Sequence, residues 1–296
     1  MKKIILLIAF MAAMELNGQT LMESATEKFN NQDWAGAVKD YTKYLKKNTD
    51  DSAAWYNLAT SQKNLENYDE ALSSFAKAKE TNFNPFFVDF NVAKIYALQG
   101  DAGMMYQTLE SAAANGLFAY ARLQSDTEFA PYQDEKRFKE VLSKVELNAY
   151  PCLSDPDCRH FDFWIGEWDV YVGPRKVGDN SITMAQGGCA IHENYITAGN
   201  YSGQSINFYS PVDKKWHQHW VGSGGDVYNY VETKREEGML QFVSDFMTPQ
   251  GTVTLSRLTF TLNEDGTVRQ LFESSSDEGK TWTPAFDGLY KRKESN

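Results

Sequence analysis

The chain has 296 residues, enough for two domains of ordinary size. Hydrophobic residues make up 42% and aromatics 14%, so both halves can bury a core and disorder is not the default expectation. The net charge of −11, from 40 acidic and 29 basic residues spread along the chain, leaves no basic face for phosphate and argues against nucleic acid as a partner.

Residues 1–18 are expected to be a secretory signal peptide. Lys2 and Lys3 form a positive start, Ile4 to Met14 an apolar run of 11 residues, and Glu15 ends that run too early for a membrane span. Cleavage is expected near Gly18, and with no Cys there a lipid anchor is not expected. No other apolar run approaches the length of a transmembrane segment, so the mature chain is expected to be soluble, and the signal peptide implies a place in the periplasm or outside the cell. Export would place Cys152, Cys158 and Cys189 in an oxidising compartment. One disulfide with one thiol left over, or none, fits that count. Spacing does not choose between Cys152–Cys158 and a pair that reaches Cys189.

Residues 19–147 repeat every 34 positions. With Leu21, Trp55 and Asp89 aligned, Ala25, Ala59 and Ala93 coincide, as do Trp34 with Tyr68, Ala37 with Ala71, and Tyr41 with Phe75 and Leu109. The small residues let paired helices approach closely, and the aromatics fill the wedge between neighbouring hairpins. The fullest copy runs Trp55, Leu58, Ala59, Tyr68, Ala71, Phe75, Ala78 and Pro85. This pattern resembles the tetratricopeptide repeat family. Three repeats are expected at 19–51, 52–85 and 86–115, capped by helices near 117–123 and 134–147 on either side of Pro131.

The resemblance implies a concave face built by the first helix of each repeat. Tyr56, Asn57, Thr60 and Lys63 would face it from repeat two, and Phe90, Asn91, Lys94 and Ala97 from repeat three. Asn57 and Asn91 fall where that family often places an Asn that binds peptide backbone. A groove for a partner protein or peptide follows from the resemblance.

Residues 148–159 are turn-rich and aperiodic, with Pro151, Asp155 and Pro156, and read as a linker. Beyond them, short alternating runs rich in β-branched and aromatic residues recur about every ten residues. Ten strands are predicted, at 167–173, 180–186, 189–197, 203–210, 215–222, 226–234, 239–246, 252–262, 267–275 and 282–291. Turns are expected at Gly187-Gly188, Gly224-Gly225, Pro249-Gln250-Gly251 and Asp265-Gly266, among others. Short connections favour antiparallel neighbours, and closure removes exposed edges. The expected fold class is multidomain, α plus all-β. A tetratricopeptide helical solenoid is followed by an antiparallel up-and-down β-barrel of about ten strands.

The barrel opens on His160-Phe161-Asp162-Phe163-Trp164-Ile165-Gly166-Glu167-Trp168. Gly166-Glu167-Trp168 resembles the Gly-x-Trp of lipocalin first strands. The whole run resembles a bacterial domain of unknown function with a Phe-x-Phe-Trp-x-Gly-x-Trp opening, over residues 160–291. That resemblance implies a calycin-like barrel and no particular reaction. On 215–221, Trp216, Gln218 and Trp220 share one face and His217, His219 and Val221 the other. The first face reads as barrel interior, and Glu193 on the third strand would join it as a buried acid. The ligand-binding residues expected are Trp164, Trp168, Glu193, Trp216, Gln218 and Trp220, around a small apolar or amphipathic ligand.

Other chemistries have weaker support. His217-x-His219 could supply two metal ligands, with His192 or His160 as a third, but four His and no Cys-x-x-Cys favour surface imidazoles, and no metal is expected. Haem barrels of the nitrobindin type use a His near the chain end, and none follows His219, so no cofactor is expected. Ser275-Ser276-Asp277-Glu278-Gly279-Lys280-Thr281-Trp282 matches the Asp-box hairpin, a structural turn. No nucleophile elbow, zinc-protease or phosphate-loop motif occurs, so no catalytic residue is expected. The sequence therefore reads as an exported non-catalytic binding protein. The alternatives are a cell-envelope hydrolase using Glu193 and a haem- or metal-binding barrel.

Overall fold

The computed structural model describes residues 20–247 and 253–294. The expected signal peptide at 1–18 and the turn at Pro249–Gly251 lie outside them. The chain divides between Ala149 and Tyr150 into two compact units. No helix among the described residues is long and apolar enough to cross a membrane.

The first unit is a helical array. Helix α1 covers residues 20–30 of the described chain. It is followed by α2 (Trp34–Leu45), α3 (Ser52–Asn64), α4 (Tyr68–Glu80), α5 (Pro85–Gln99) and α6 (Ala102–Ala114). The 34-residue period governs backbone as well as core. Gln32, Glu66 and Gly100 each take a left-handed conformation, with φ of 59, 63 and 74°. In each hairpin the next residue's N–H returns to a carbonyl five residues back: Asp33 to Lys28, Asn67 to Gln62 and Asp101 to Tyr96. Only Gly100 takes that conformation without steric penalty. Ala25, Ala37, Ala59, Ala71, Ala93 and Ala112 are fully buried where helices meet, with Tyr41, Phe75 and Leu109 between the pairs. This is a tetratricopeptide-type solenoid.

Asp33, Asp51 and Asp101 cap α2, α3 and α6. The Asp51 carboxylate accepts from Ala54 N at 2.9 Å and from Tyr44 Oη at 3.0 Å, tying the start of α3 to α2. Asp51→Ala is expected to lower the array's stability by about 1 kcal/mol, read as a shift in its denaturant midpoint.

The cap consists of α7 (Tyr120–Ser125), a 3₁₀ turn (Thr127–Tyr132) containing Pro131, and α8 (Lys136–Ala149). Leu123, Phe129, Phe138, Val141 and Val145 bury the last face of α6.

The second unit is a closed antiparallel barrel. Its strands are β1 (Gly166–Val172), β2 (Arg175–Ala185), β3 (Ala190–Thr197), β4 (Ser202–Ser210) and β5 (Lys215–Gly222). They continue as β6 (Val227–Glu236), β7 (Met239–Met247), β8 (Val253–Leu262), β9 (Val268–Ser275) and β10 (Thr283–Arg292). Each strand pairs with its sequence neighbours, and β1 pairs with β10 to shut the sheet. The prediction of ten strands holds. Strand β2 starts five residues earlier than expected, because its first turn carries charge instead of β-formers. Lys176 bridges Asp169 at 2.7 Å and Asp179 at 2.9 Å there.

The stretch 148–159 is not a free linker after Ala149. Residues 151–159 form a strap of a 3₁₀ turn (Pro151–Leu153) and a short helix α9 (Pro156–Arg159) within the barrel unit. Cys152 is disulfide-bonded to Cys189, and Cys158 is a buried free thiol. Asp157 accepts Trp216 Nε1 on its carbonyl at 3.0 Å and pairs with Arg235 at 2.7 Å. Turn-forming residues mark irregular backbone, and here that backbone is packed and cross-linked.

Candidate ligand-binding cavity

Alternation along the ten strands sends every second side chain inward. The interior has two parts. At the strap end, a 3₁₀ turn (Asp162–Trp164) brings Phe161 and Trp164 into the barrel, stacked at 4.9 Å. They pack on Phe260, Phe242 and Trp216. Trp168 donates Nε1 to Trp164 O at 2.8 Å, and Arg292 lies 4.4 Å over its ring. Trp164, Trp168 and Trp216 are all but fully buried in this solid aromatic core. These three expected ligand-binding residues lie outside the cavity, because residues 161–164 fill the space they would have lined.

Beyond that core the interior holds a cavity of about 240 Å³. Glu193, Gln218 and Trp220, the other three expected residues, line it together. Tyr195, Tyr201, Asp226, Tyr228, Tyr230, Leu258, Gln270, Phe272, Phe286 and Tyr290 complete the wall. Sequence reading passed over these. Their signal was phase: Tyr195 follows Glu193 by two residues, and Tyr228 and Tyr230 sit opposite Trp220 and Gln218.

Glu193 is 2% exposed and heads a buried polar chain. Asn180 Nδ2 donates to Glu193 Oε1 at 2.8 Å, and Ser205 Oγ donates to Oε2 at 2.6 Å. Asn207 Nδ2 donates to Ser205 Oγ at 2.9 Å, and Gln218 Nε2 donates to Asn207 Oδ1 at 2.8 Å. On the other side Asn180 reaches Tyr290 Oη at 3.4 Å, which donates to Gln270 Oε1. Burial raises the Glu193 carboxyl to about 7, against the pull of the Ser205 and Asn180 bonds. At the other limit of the cavity, half-buried Asp226 accepts Trp220 Nε1 at 2.9 Å and Tyr201 Oη at 2.8 Å.

The expected groove residues fare differently. Tyr56, Asn57, Thr60, Lys63 and Asn91 are half-buried and joined to one another and to Tyr41. Asn91 donates to Tyr56 Oη at 2.7 Å and accepts from Lys63 Nζ at 3.2 Å; Asn57 donates to Tyr41 Oη at 3.1 Å, and Thr60 to Tyr56 O at 2.9 Å. Burial, with Lys94 nearby, lowers Lys63 to about 8. Phe90 and Lys94 are not open to a groove. The 3₁₀ turn of the cap sets Phe129 against Phe90 at 5.9 Å, and Lys94 pairs with Asp126 at 2.6 Å and Glu128 at 3.3 Å. Ala97 is buried beside them.

His217 bonds Asp213 at 2.9 Å and His219 bonds Asn229 at 2.7 Å, both rings stacking on Phe208. Among the described residues no three His, Cys, Asp or Glu side chains are grouped to hold a metal. The Asp-box stretch is the structural hairpin expected. Asp277 accepts Thr281 N at 2.8 Å and Oγ1 at 2.6 Å, Gly279 has φ 83°, and Trp282 lies 4.2 Å beneath Arg257.

No protein-family model matches the chain, and no curated protein matches it. Among solved structures it is similar to the TPR2B-domain:pHsp70 complex of yeast Sti1, at 20% identity over 44% of this chain and 96% of that one, TM-score 0.33. It is similar to MamA at 13% identity over 50% and 86% of the two chains, TM-score 0.41. It is also similar to the type III secretion translocator chaperone SycD of Yersinia enterocolitica, at 16% identity over 44% and 92%, TM-score 0.33.

Proposed function

We propose that the chain is an exported, non-catalytic binding protein. Its barrel takes one small apolar or amphipathic molecule, and its repeat array docks a partner protein or peptide. The observation that carries the reading is the aromatic cavity of about 240 Å³ with a buried polar chain at Glu193. Apolar walls with a few fixed polar groups are what a small-ligand site needs, and the volume lies below that of most drug-sized sites. The lipocalin-type likeness of the Gly166-Glu167-Trp168 opening belongs to the same reading. For the array, the repeat architecture and the half-buried Tyr56, Asn57, Thr60 and Lys63 face support docking through repeat two. Export is supported by the Lys-apolar-polar order of residues 1–18 and by the disulfide.

The rival hydrolase needs a second carboxylate or a His within hydrogen-bond reach of Glu193. The hydrogen-bond partners of that carboxyl are an amide and a hydroxyl, which favours binding. Native mass spectrometry of the protein purified from its own host is expected to find a small molecule released on unfolding. A clean apo mass would count against the barrel site. N-terminal sequencing of that material is expected to start near residue 19.

A further inference from the structure

We propose that the barrel cavity selects an organic cation, a small amine or ammonium ion on an aromatic or aliphatic body. The inference rests on the cavity being a ligand site and names the charge of what enters it. Two carboxyl groups line the cavity, Glu193 on β3 and Asp226 after β5, and among the described residues no Lys, Arg or His lines it. Neither carboxyl has a cationic partner there. Glu193 takes its hydrogen bonds from Asn180 and Ser205, and Asp226 takes its own from Trp220 and Tyr201. Beside Glu193, the buried Asn180 Oδ1 accepts no hydrogen bond. The site is therefore rich in acceptors and poor in positive charge.

The walls agree with that sign. Ring faces carry negative charge and attract cations, so a wall of Tyr and Trp around carboxyl groups replaces the water an ammonium gives up on entry. Tyr228 and Tyr230 stack at 5.6 Å, and Phe272 stands edge-on to Tyr228 at 6.1 Å. An anion would meet two carboxyl groups and the same ring faces with no cation to receive it. A purely apolar molecule would leave both carboxyl groups of the cavity without a counter-charge.

A bound cation also draws Glu193 into its charged form, since an opposite charge close by favours the carboxylate. The other titratable groups lining the cavity are Asp226 and the tyrosines Tyr195, Tyr201, Tyr228, Tyr230 and Tyr290. Burial raises those tyrosines, so they stay neutral between pH 6 and 8.

The test uses the full chain, freed of bound material by dialysis, and calorimetry with three probes of one shape: 2-phenylethylammonium, 2-phenylethanol and phenylacetate. The ammonium is expected to bind at least ~10-fold more tightly than the alcohol at pH 8, with phenylacetate weakest. Its affinity is expected to fall about tenfold between pH 8 and pH 6 as Glu193 takes up its proton, and Glu193→Gln is expected to remove the preference over the alcohol. Equal or tighter binding of the alcohol or the phenylacetate overturns the cation proposal and leaves the cavity as a ligand site. Ammonium affinity that changes neither with pH nor with the substitution removes Glu193 as counter-ion and overturns it as well. The pH comparison needs only the unaltered chain, so it decides even if Glu193→Gln folds poorly. If none of the three binds at millimolar concentration the proposal fails, and the native mass measurement then decides the broader reading alone.

Discussion

Raising the pH from 5 to 8 is expected to destabilise the ligand-free barrel by roughly 3 kcal/mol through Glu193 alone. The carboxyl lies inside the sheet, where burial disfavours its charge and lifts it from an ordinary 4.5 to about 7. A carboxyl with a folded value above its unfolded one holds its proton more tightly in the folded chain. Stability is therefore highest below 4.5, declines as the pH rises toward 7, and levels off above that. The surface carboxylates Asp179 and Asp287 have the opposite sign. Ion pairs with Lys293 and Arg269 lower them, so their contribution is lost only in acid, below the window. Lys63 in the array, lowered to about 8, adds stability only as the pH rises beyond 8. Glu193→Gln keeps an acceptor for Asn180 and removes the charge. Chemical unfolding of this variant and the parent at pH 5 and 8 is expected to converge at pH 5 and to favour the variant at pH 8. A parent whose stability is flat across that range would mean that Glu193 is solvated.

The second large effect is expected from the strap. Replacing both Cys152 and Cys189 by Ser should cost about 4 kcal/mol, from the loop closed by a bond spanning 37 residues. That loop contains β1, β2 and the turn that carries Phe161 and Trp164 into the barrel. Cys158 should not substitute for either partner, because burial raises its thiol and keeps it protonated. Unfolding curves with and without reductant measure the effect. A difference under about 1 kcal/mol would mean that the Asp157 contacts to Trp216 and Arg235 hold the strap unaided.

How much could be read in advance follows from the range of the interactions involved. The repeat period and the ten strands are local patterns, carried by Ala25, Ala59 and Ala93 in one half and by strands such as 215–221 in the other. The cavity is not local. Trp216 and Trp220 stand on the same face of β5, yet one is packed solid and the other lines open space. What separates them is height along the barrel relative to Phe161 and Trp164, whose position depends on a strap tied to Cys189. Phe90 and Lys94 repeat the lesson in the array. The repeat resemblance implies a concave position for them, and a segment more than thirty residues later packs on them. Spacing carries no information about either event.

The seam between β1 and β10 sets the order in which the second unit can be finished. Trp168 lies opposite Arg292, so the first strand of the sheet waits for the last before its outer hydrogen bonds are made. Until then the nascent sheet has two raw margins able to recruit strands from other molecules, and joining such distant stretches is slow. Synthesis halted before β10 would leave those margins unzipped, and aggregation is the expected fate of that product.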